Sequence, residues 1–281
     1  MREKFSTVVF LIFFLVLGSC AQQKDTETAV HPVLQGTLWM QTSPEYQMVT
    51  REAYALAKIR LDEALKNKSW TAAVEQSGNF ADLPPAVILD VDETVLDNSG
   101  FEARLVKTNS YFNRRNWTDW AKEAKAGIVP GALDFLKYAV SKGVHIFYVT
   151  NRSLDLKDAT RKNLELKGFP VDASGDNVLT ENPEKGWGSD KSSRRTYVTK
   201  KYRVVLLCGD NLNDFITDDK KNGPEGRKSL AAKYQSHWGT RWIVLPNPMY
   251  GNWEAALYDF NYRLPRPEIA KRKIKALQTF Q

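Results

Sequence analysis

Four acids crowd one short stretch of this chain. AVILDVDETVLDNS (86–99) runs from strand-forming apolar residues straight into Asp90, Asp92, Glu93 and Asp97. On an extended segment Asp90 and Asp92 project to the same side, about 6 to 7 Å apart at Cα. Like charges that close must protonate or share a cation. GDNLNDF (209–215) offers two more acids, Asp210 and Asp214; VTNR (149–152) offers Thr150, Asn151 and Arg152; DKSSR (190–194) offers Lys191. Oxygen-only donors suit Mg²⁺, which keeps waters and accepts one or two carboxylates plus a phosphate oxygen. His31, His145 and His237 are scattered and build no zinc site. A carboxylate can attack phosphorus, and a cation and a hydroxyl can steady the phosphoryl oxygens. A second carboxylate can then give and take the proton.

Something must bring these groups together. Apolar runs at 86–91, 144–151, 203–210 and 241–247, with a weaker one at 177–180, read as buried parallel strands. Helical patterns at 130–143, 153–168 and 226–239 lie between them. Strands alternating with helices predict an α/β fold with a parallel sheet, whose ligands sit beyond the carboxyl ends of the strands. Asp90, Thr150 and Asp210 each close such a run, so one sheet edge would receive all three. Ahead of the sheet, Ser43 and Pro44 start a long amphipathic helix reaching about residue 66, expected to pack on helical material from the insert after the first motif. Asp97 and Asn98 read as a turn or cap. Cys208, at the end of VVLLC, reads as a small buried hydrophobe.

Aromatic residues gather outside the strands, in YFNRRNWTDW (111–120) and NPMYGNW (247–253). Rings on two sides of a cleft can sandwich a flat base. Trp120 and Trp253 read as structural.

The net charge of the 281-residue chain is +7 and favours anionic ligands. Its cations are dispersed and no groove-reading motif appears, so no nucleic-acid partner is expected. The densest basic stretch, KSSRRTYVTKKYR (191–203), reads mostly as a solvated helix face. Residues 1–19 pair Arg2 and Lys4 with an apolar run too short to span a bilayer comfortably, which is the pattern of a secretory signal. LGSC (17–20) resembles a bacterial lipobox, which would acylate Cys20 and leave residues 20–37 as a polar tether. With Cys20 lipidated only Cys208 remains, so no intramolecular disulfide forms. Residues 38–85 follow as an N-terminal helical segment, then a core at 86–281 with a cap insert at about 98–130.

DVDETVLDNS, VTNR, DKSSR and GDNLNDF, in that order, resemble the four motifs of the haloacid dehalogenase superfamily. The details resemble its class C acid phosphatases, the lipoprotein e(P4) family of 5′-nucleotidases. The likeness runs from LWMQTSPEYQ (38–47) to IVLPNPMYGNWE (243–254) and includes the lipobox. It implies a Rossmann-like core with a smaller helical domain, made of the N-terminal helix and the insert, and Mg²⁺-dependent hydrolysis of phosphomonoesters. Asp90 would be nucleophile and metal ligand. Asp92 would be acid and base, its carbonyl touching the metal. Thr150 and Lys191 would hold the phosphoryl group, with Asn151 and Arg152 beside them on the substrate. Asp210 would complete the metal site, and Asp214 would bind a metal water or orient Lys191. Trp117 and Tyr250 would clamp the nucleoside. The implied setting is a bacterial cell envelope, with the lipid in an outer membrane. A homodimer, a sugar phosphatase or phosphotransferase, and a ligand-capturing lipoprotein without activity stay open.

Overall fold

Pro85 lacks a backbone donor and so starts a strand without wasting a ladder bond, and the four apolar residues after it are all buried. In the computed structural model, which describes residues 30–174, 176–217 and 222–279, this strand is the centre of the sheet. The signal peptide, Cys20 and most of the tether lie outside those residues. Two helices precede the sheet, α1 (Leu34–Thr42) and α2 (Pro44–Lys66). Strand β1 (Pro85–Leu89) leads to a short ribbon strand β2 (Leu96–Asp97), helices α3 (Ser99–Lys107) and α4 (Arg114–Glu123), and the returning ribbon strand β3 (Gly127–Ile128). There follow α5 (Ala132–Ser141), β4 (His145–Val149), α6 (Lys157–Leu166), β5 (Val178–Leu179), α7 (Ser192–Thr199) and β6 (Arg203–Gly209). The chain closes with α8 (Pro224–Lys233), β7 (Trp242–Val244), α9 (Asn252–Ala255) and α10 (Arg266–Lys275).

The sheet order is β5-β4-β1-β6-β7, with all four pairings parallel. The chain passes from β1 to one side for β4 and to the other for β6, so strand order reverses at β1, where open α/β sheets bind ligands. Residues along β1 alternate between two cores. Val87 and Leu89 join α2 and α5 through Tyr54, Leu61, Phe135 and Leu136. Ala86 and Ile88 face a second layer with Val198, Phe215 and Trp242. This two-sided burial accounts for the continuous apolar run that marks the strand in sequence.

The N-terminal helices depart from expectation in two ways. The stretch read as tether ends near residue 30, because α1 begins at Leu34 with Thr37 and Met40 buried. A Cβ at Gly36 would stand 2.7 Å from the Pro248 carbonyl, so glycine lets this aperiodic helix lie against the 247–250 loop. The long helix α2 is capped as expected, the Ser43 side chain accepting from Tyr46 N at 3.1 Å. Its partners are α5, β6 and β7 rather than the insert. The reason is its buried stripe of Ala57, Leu61 and Ala64, slim enough for a helix to lie close on a sheet layer. It is α1 that packs on the insert, against α3.

Candidate active site

The backbone leaves β1 at Leu89 and is at once tied down, Asp90 N donating to the Cys208 carbonyl at 2.9 Å. Asp90 is thereby held level with the end of β6, from which Asp210 and Asp214 follow. One carboxylate oxygen from each of Asp90, Asp210 and Asp214 lies within 4.8 Å of the others. Gly209 makes this possible, since a Cβ there would fall 2.3 Å from the Asp214 Cβ. Lys191, 4% exposed at the start of α7, bonds Asp90 and also Asp214, the latter at 2.6 Å. The second Asp214 oxygen accepts from Asn211 N at 2.8 Å. Asn247 donates to Asp210 at 2.8 Å, and its own side-chain oxygen accepts from the amides of Met249 and Tyr250.

The electrostatics are those of a buried anionic centre. Burial pushes the Asp90 carboxyl up to about 7, with Lys191 opposing and Asp214 and Asp92 adding repulsion. Asp210 is held well above the usual carboxylate range, first by desolvation and then by Asp214 and Asp90. For Lys191, burial pulls the ammonium down, but Asp214 and Asp90 together outweigh it and its pKa stands above the ordinary value. Hard oxygen donors, crowded and carrying more negative charge than one ammonium offsets, fit a small divalent cation. Asp90 and Asp210 would hold it, while Asp214 is committed to Lys191.

Asp92 lies apart from that cluster, which fits a backbone rather than a side-chain role toward a metal. Its carboxylate accepts from Arg152 at 2.7 Å and from Asn98 at 2.8 Å, with Thr150 Oγ1 at 3.4 Å. The arrangement corrects one expectation, since Asn98 does more than turn the chain. It is fully buried, and its side-chain oxygen accepts from Trp120 Nε1 at 2.8 Å, so a hydrogen-bonded line runs from α4 through Asn98 to Asp92. Asp97 keeps the turn role, accepting from Ser99 N at 2.7 Å. Glu93 stands at φ +57, and its carboxylate accepts from Asn98 N at 2.7 Å, fixing the bend that swings the chain off the strand.

Arg152, expected beside the substrate, is 2% exposed and engaged with Asp92 and Thr160, while the ring of Trp117 lies 5.3 Å from its guanidinium. Asn151 is exposed but braced, donating to the Ser189 carbonyl at 3.0 Å and accepting from Arg194 at 2.6 Å. Arg194 also donates to the carbonyls of Thr150 at 2.5 Å and Gly188 at 2.8 Å. The solvated reading of 191–203 is therefore overturned: Lys191, Arg194, Arg195 and Arg203 are all buried. Carbonyl groups and Glu75, which bonds Arg195 at 2.6 Å, replace the water these cations give up. Arg194 and Asn98 had no separate signal in the sequence, because neither a buried arginine nor a bridging asparagine differs in type from a surface one.

Trp117 and Tyr250 lie on opposite flanks of the acids. Trp117 meets Phe101 edge-on at 5.2 Å on the Asp92 side. Tyr250 packs against Met40, Tyr46 and Met249 on the Asp210 side, its loop pinned by Trp253 Nε1 donating to the Tyr250 carbonyl at 3.2 Å. A cleft of about 750 Å³ opens between Arg114, Leu154, Pro183 and Trp187. Cys208 is buried with its thiol pushed up by desolvation, consistent with a packing role.

Comparison with known proteins gives one family and a small set of relatives. The profile of the HAD superfamily, subfamily IIIB (Acid phosphatase), matches residues 19–253. The class C acid phosphatase from Bacillus anthracis superposes with a TM-score of 0.78 at 39% identity, covering 88% of this chain and 97% of that one. A class C acid phosphatase structure from Bacillus anthracis with tungstate bound superposes equally well, at 37% identity over the same shares. The Stem 31 kDa glycoprotein of Glycine max is 23% identical over 167 residues, which is 58% of this chain and 58% of the soybean protein. The match thus spans little more than half the length of that relative.

Proposed function

The chain belongs to the acid phosphatases of HAD subfamily IIIB, and from that premise we propose that it is a Mg²⁺-dependent phosphomonoesterase acting on 5′-nucleotides through a phospho-Asp90 intermediate. The observation that carries the reading is Lys191, a buried ammonium bonded to Asp90 and Asp214 with Asp210 alongside. No structural need calls for that many charges at one strand end, and a phosphate arriving there would find a nucleophile, a cation and a metal site together. The tungstate bound by the Bacillus anthracis relative supports it, tungstate being a tetrahedral oxyanion like phosphate.

In this reading the Asp90 carboxylate attacks phosphorus as the ester oxygen leaves. Asp92, oriented by Arg152 and Asn98, hands that oxygen a proton and later takes one from the water that hydrolyses phospho-Asp90. Thr150 and Lys191 bond the phosphoryl oxygens. When bound, Mg²⁺ offsets the charge between the phosphate and the acids. Trp117 and Tyr250, one on each flank, supply faces on which a nucleobase stacks. Upstream, the lipobox at Cys20 supports anchoring of the mature chain to a cell-envelope membrane, where it would release nucleosides for uptake.

The test is phosphate release from a panel of nucleoside 5′-monophosphates, sugar phosphates and an aryl phosphate, with Mg²⁺ and with chelator. Nucleotides turn over fastest, chelator stops the reaction, and Asp90→Asn abolishes it while the circular dichroism spectrum is unchanged. A fully active Asp90→Asn protein overturns the mechanism, and sugar phosphates outrunning nucleotides overturns the substrate class.

A further inference from the structure

The last helix carries charge that the site does not use. Across Arg266–Lys275 stand five basic residues against one acid, Glu268. Two of the cations are neutralised within the fold, Arg272 by Asp259 at 2.6 Å and by Glu268, and Lys273 by Glu254. Lys271 and Lys275 have no ion pair among the described residues, and neither does Arg263 just before the helix. Pro267, Ala270, Lys271, Ile274 and Lys275 are exposed while Glu268, Ile269, Arg272 and Lys273 are half-buried. The exposed positions recur every three to four residues and so share one face. Within and beside that face three large apolar side chains are also exposed: Tyr262 at 68%, Ile274 at 69% and Leu277 at 75%. Lysines interleaved with apolar side chains, beside a single acid, Glu268, that is paired with Arg272, form the surface that lies on an anionic lipid interface.

A second observation locates the surface. The chain enters the fold at His31, whose ring stacks on Tyr111 at 4.7 Å and whose Nε2 bonds the Ser110 carbonyl at 2.9 Å. The guanidinium of Arg266, the first residue of α10, lies over the same Tyr111 ring. Entry point and basic helix are thus joined through one side chain. Ten residues separate Cys20 from His31, and that stretch reaches at most about 40 Å when fully extended. Any attachment at Cys20 would therefore keep His31, and with it the start of α10, within that reach of the bilayer. Among the described residues no helix is long and apolar enough to cross a membrane, and α10 is ten residues long.

We propose that the exposed face of α10, with Lys271 and Lys275 beside Ile274 and Leu277, docks on an anionic phospholipid surface and fixes how the enzyme stands on its membrane. The occupant is the lipid headgroup layer, because only a planar anionic surface engages separated lysines and protruding apolar side chains at once.

The test is amide hydrogen exchange over residues 266–277 of the full chain reconstituted on vesicles. One set is pure phosphatidylcholine and the other contains phosphatidylglycerol. Exchange should slow by about five-fold or more on the anionic vesicles alone, and the protection should vanish at high salt and in the Lys271→Glu, Lys275→Glu double variant. Phosphate release from a soluble monoester should be the same in the variant, which separates this proposal from the catalytic one. Equal exchange on both vesicle types overturns it, as does protection that survives the double substitution. Protection seen without vesicles and rising with protein concentration would give the face to a second copy of the chain, and would equally overturn it.

Discussion

Residues 191–203 and 263–275 are each thirteen residues long with six basic side chains, yet the fold treats them oppositely. In the first, Lys191, Arg194, Arg195 and Arg203 are buried; in the second, no side chain is. The difference lies in what each cation meets. Arg203 donates to the carbonyls of Ala64 and Asn67 at the end of α2 and of Trp70 just beyond it. Arg194 collects three acceptors from the loops after β4 and before α7, and Lys191 meets two carboxylates. The 263–275 stretch has surface acids for two of its cations and none for Lys271 or Lys275. Buried cations therefore organise this fold around its site, whereas the exposed ones leave a face for something outside it.

The comparison breaks first at Lys191. Lys191→Met removes the cation from a buried pair of acids and, in the proposed mechanism, the donor to the phosphoryl group, and should lower kcat by about 10² to 10³. Steady-state phosphate release, with circular dichroism as the control for folding, checks it. Arg194 should act on stability. Arg194→Met leaves the Thr150 and Gly188 carbonyls and the Asn151 side chain without their donor, and should cost about 3 to 5 kcal/mol in urea unfolding. Arg194→Lys should recover little, because one ammonium cannot span acceptors that a forked guanidinium reaches. Burial pulls the Arg194 pKa down to about 10, which still leaves it charged at neutral pH.

These two residues also mark how far the sequence could be read. The sheet was legible because buried parallel strands are apolar on both faces, and Asp90, Thr150 and Asp210 were legible because each ends such a strand. The partner of α2 was not, since an amphipathic stripe declares a buried face without saying what covers it. Helix α1 escaped notice because its apolar residues carry no helical period, and its place depends on Gly36 fitting under Pro248. Asn98 read as a turn residue because its neighbour Asp97 is one. What distinguishes Asn98 is the position of Trp120, twenty-two residues away and known only once the chain is folded.

Glu102 stands between the two extremes, on α3 against the C-terminal part of the chain. It is 5% exposed, and burial with added repulsion from Glu254 pushes its carboxyl up to about 7. The folded state then binds a proton more tightly than the unfolded chain, whose glutamate titrates near the ordinary value. Stability should be highest where both states are protonated and fall as pH rises through 4.5 to about 7, by about 3 kcal/mol. Urea midpoints across that range for the parent and Glu102→Gln check the sign, since the parent should lose more stability than the variant, whose remaining slope comes from buried acids such as Asp90. Lys273 adjusts it: Lys273→Ala leaves the Glu254 charge uncompensated and should move the Glu102 titration higher.

The smallest effect is expected at Lys271. Its side chain is exposed and carries no ion pair among the described residues, so Lys271→Glu should change unfolding stability by no more than about 0.5 kcal/mol. Its activity on a soluble monoester should match the parent. A destabilisation comparable to that of Arg194→Met would mean that α10 has a partner within the fold, and the two basic stretches would then differ in degree rather than in kind. A near-zero effect leaves Lys271 with a charge the fold does not use, which is the condition a membrane-facing surface requires.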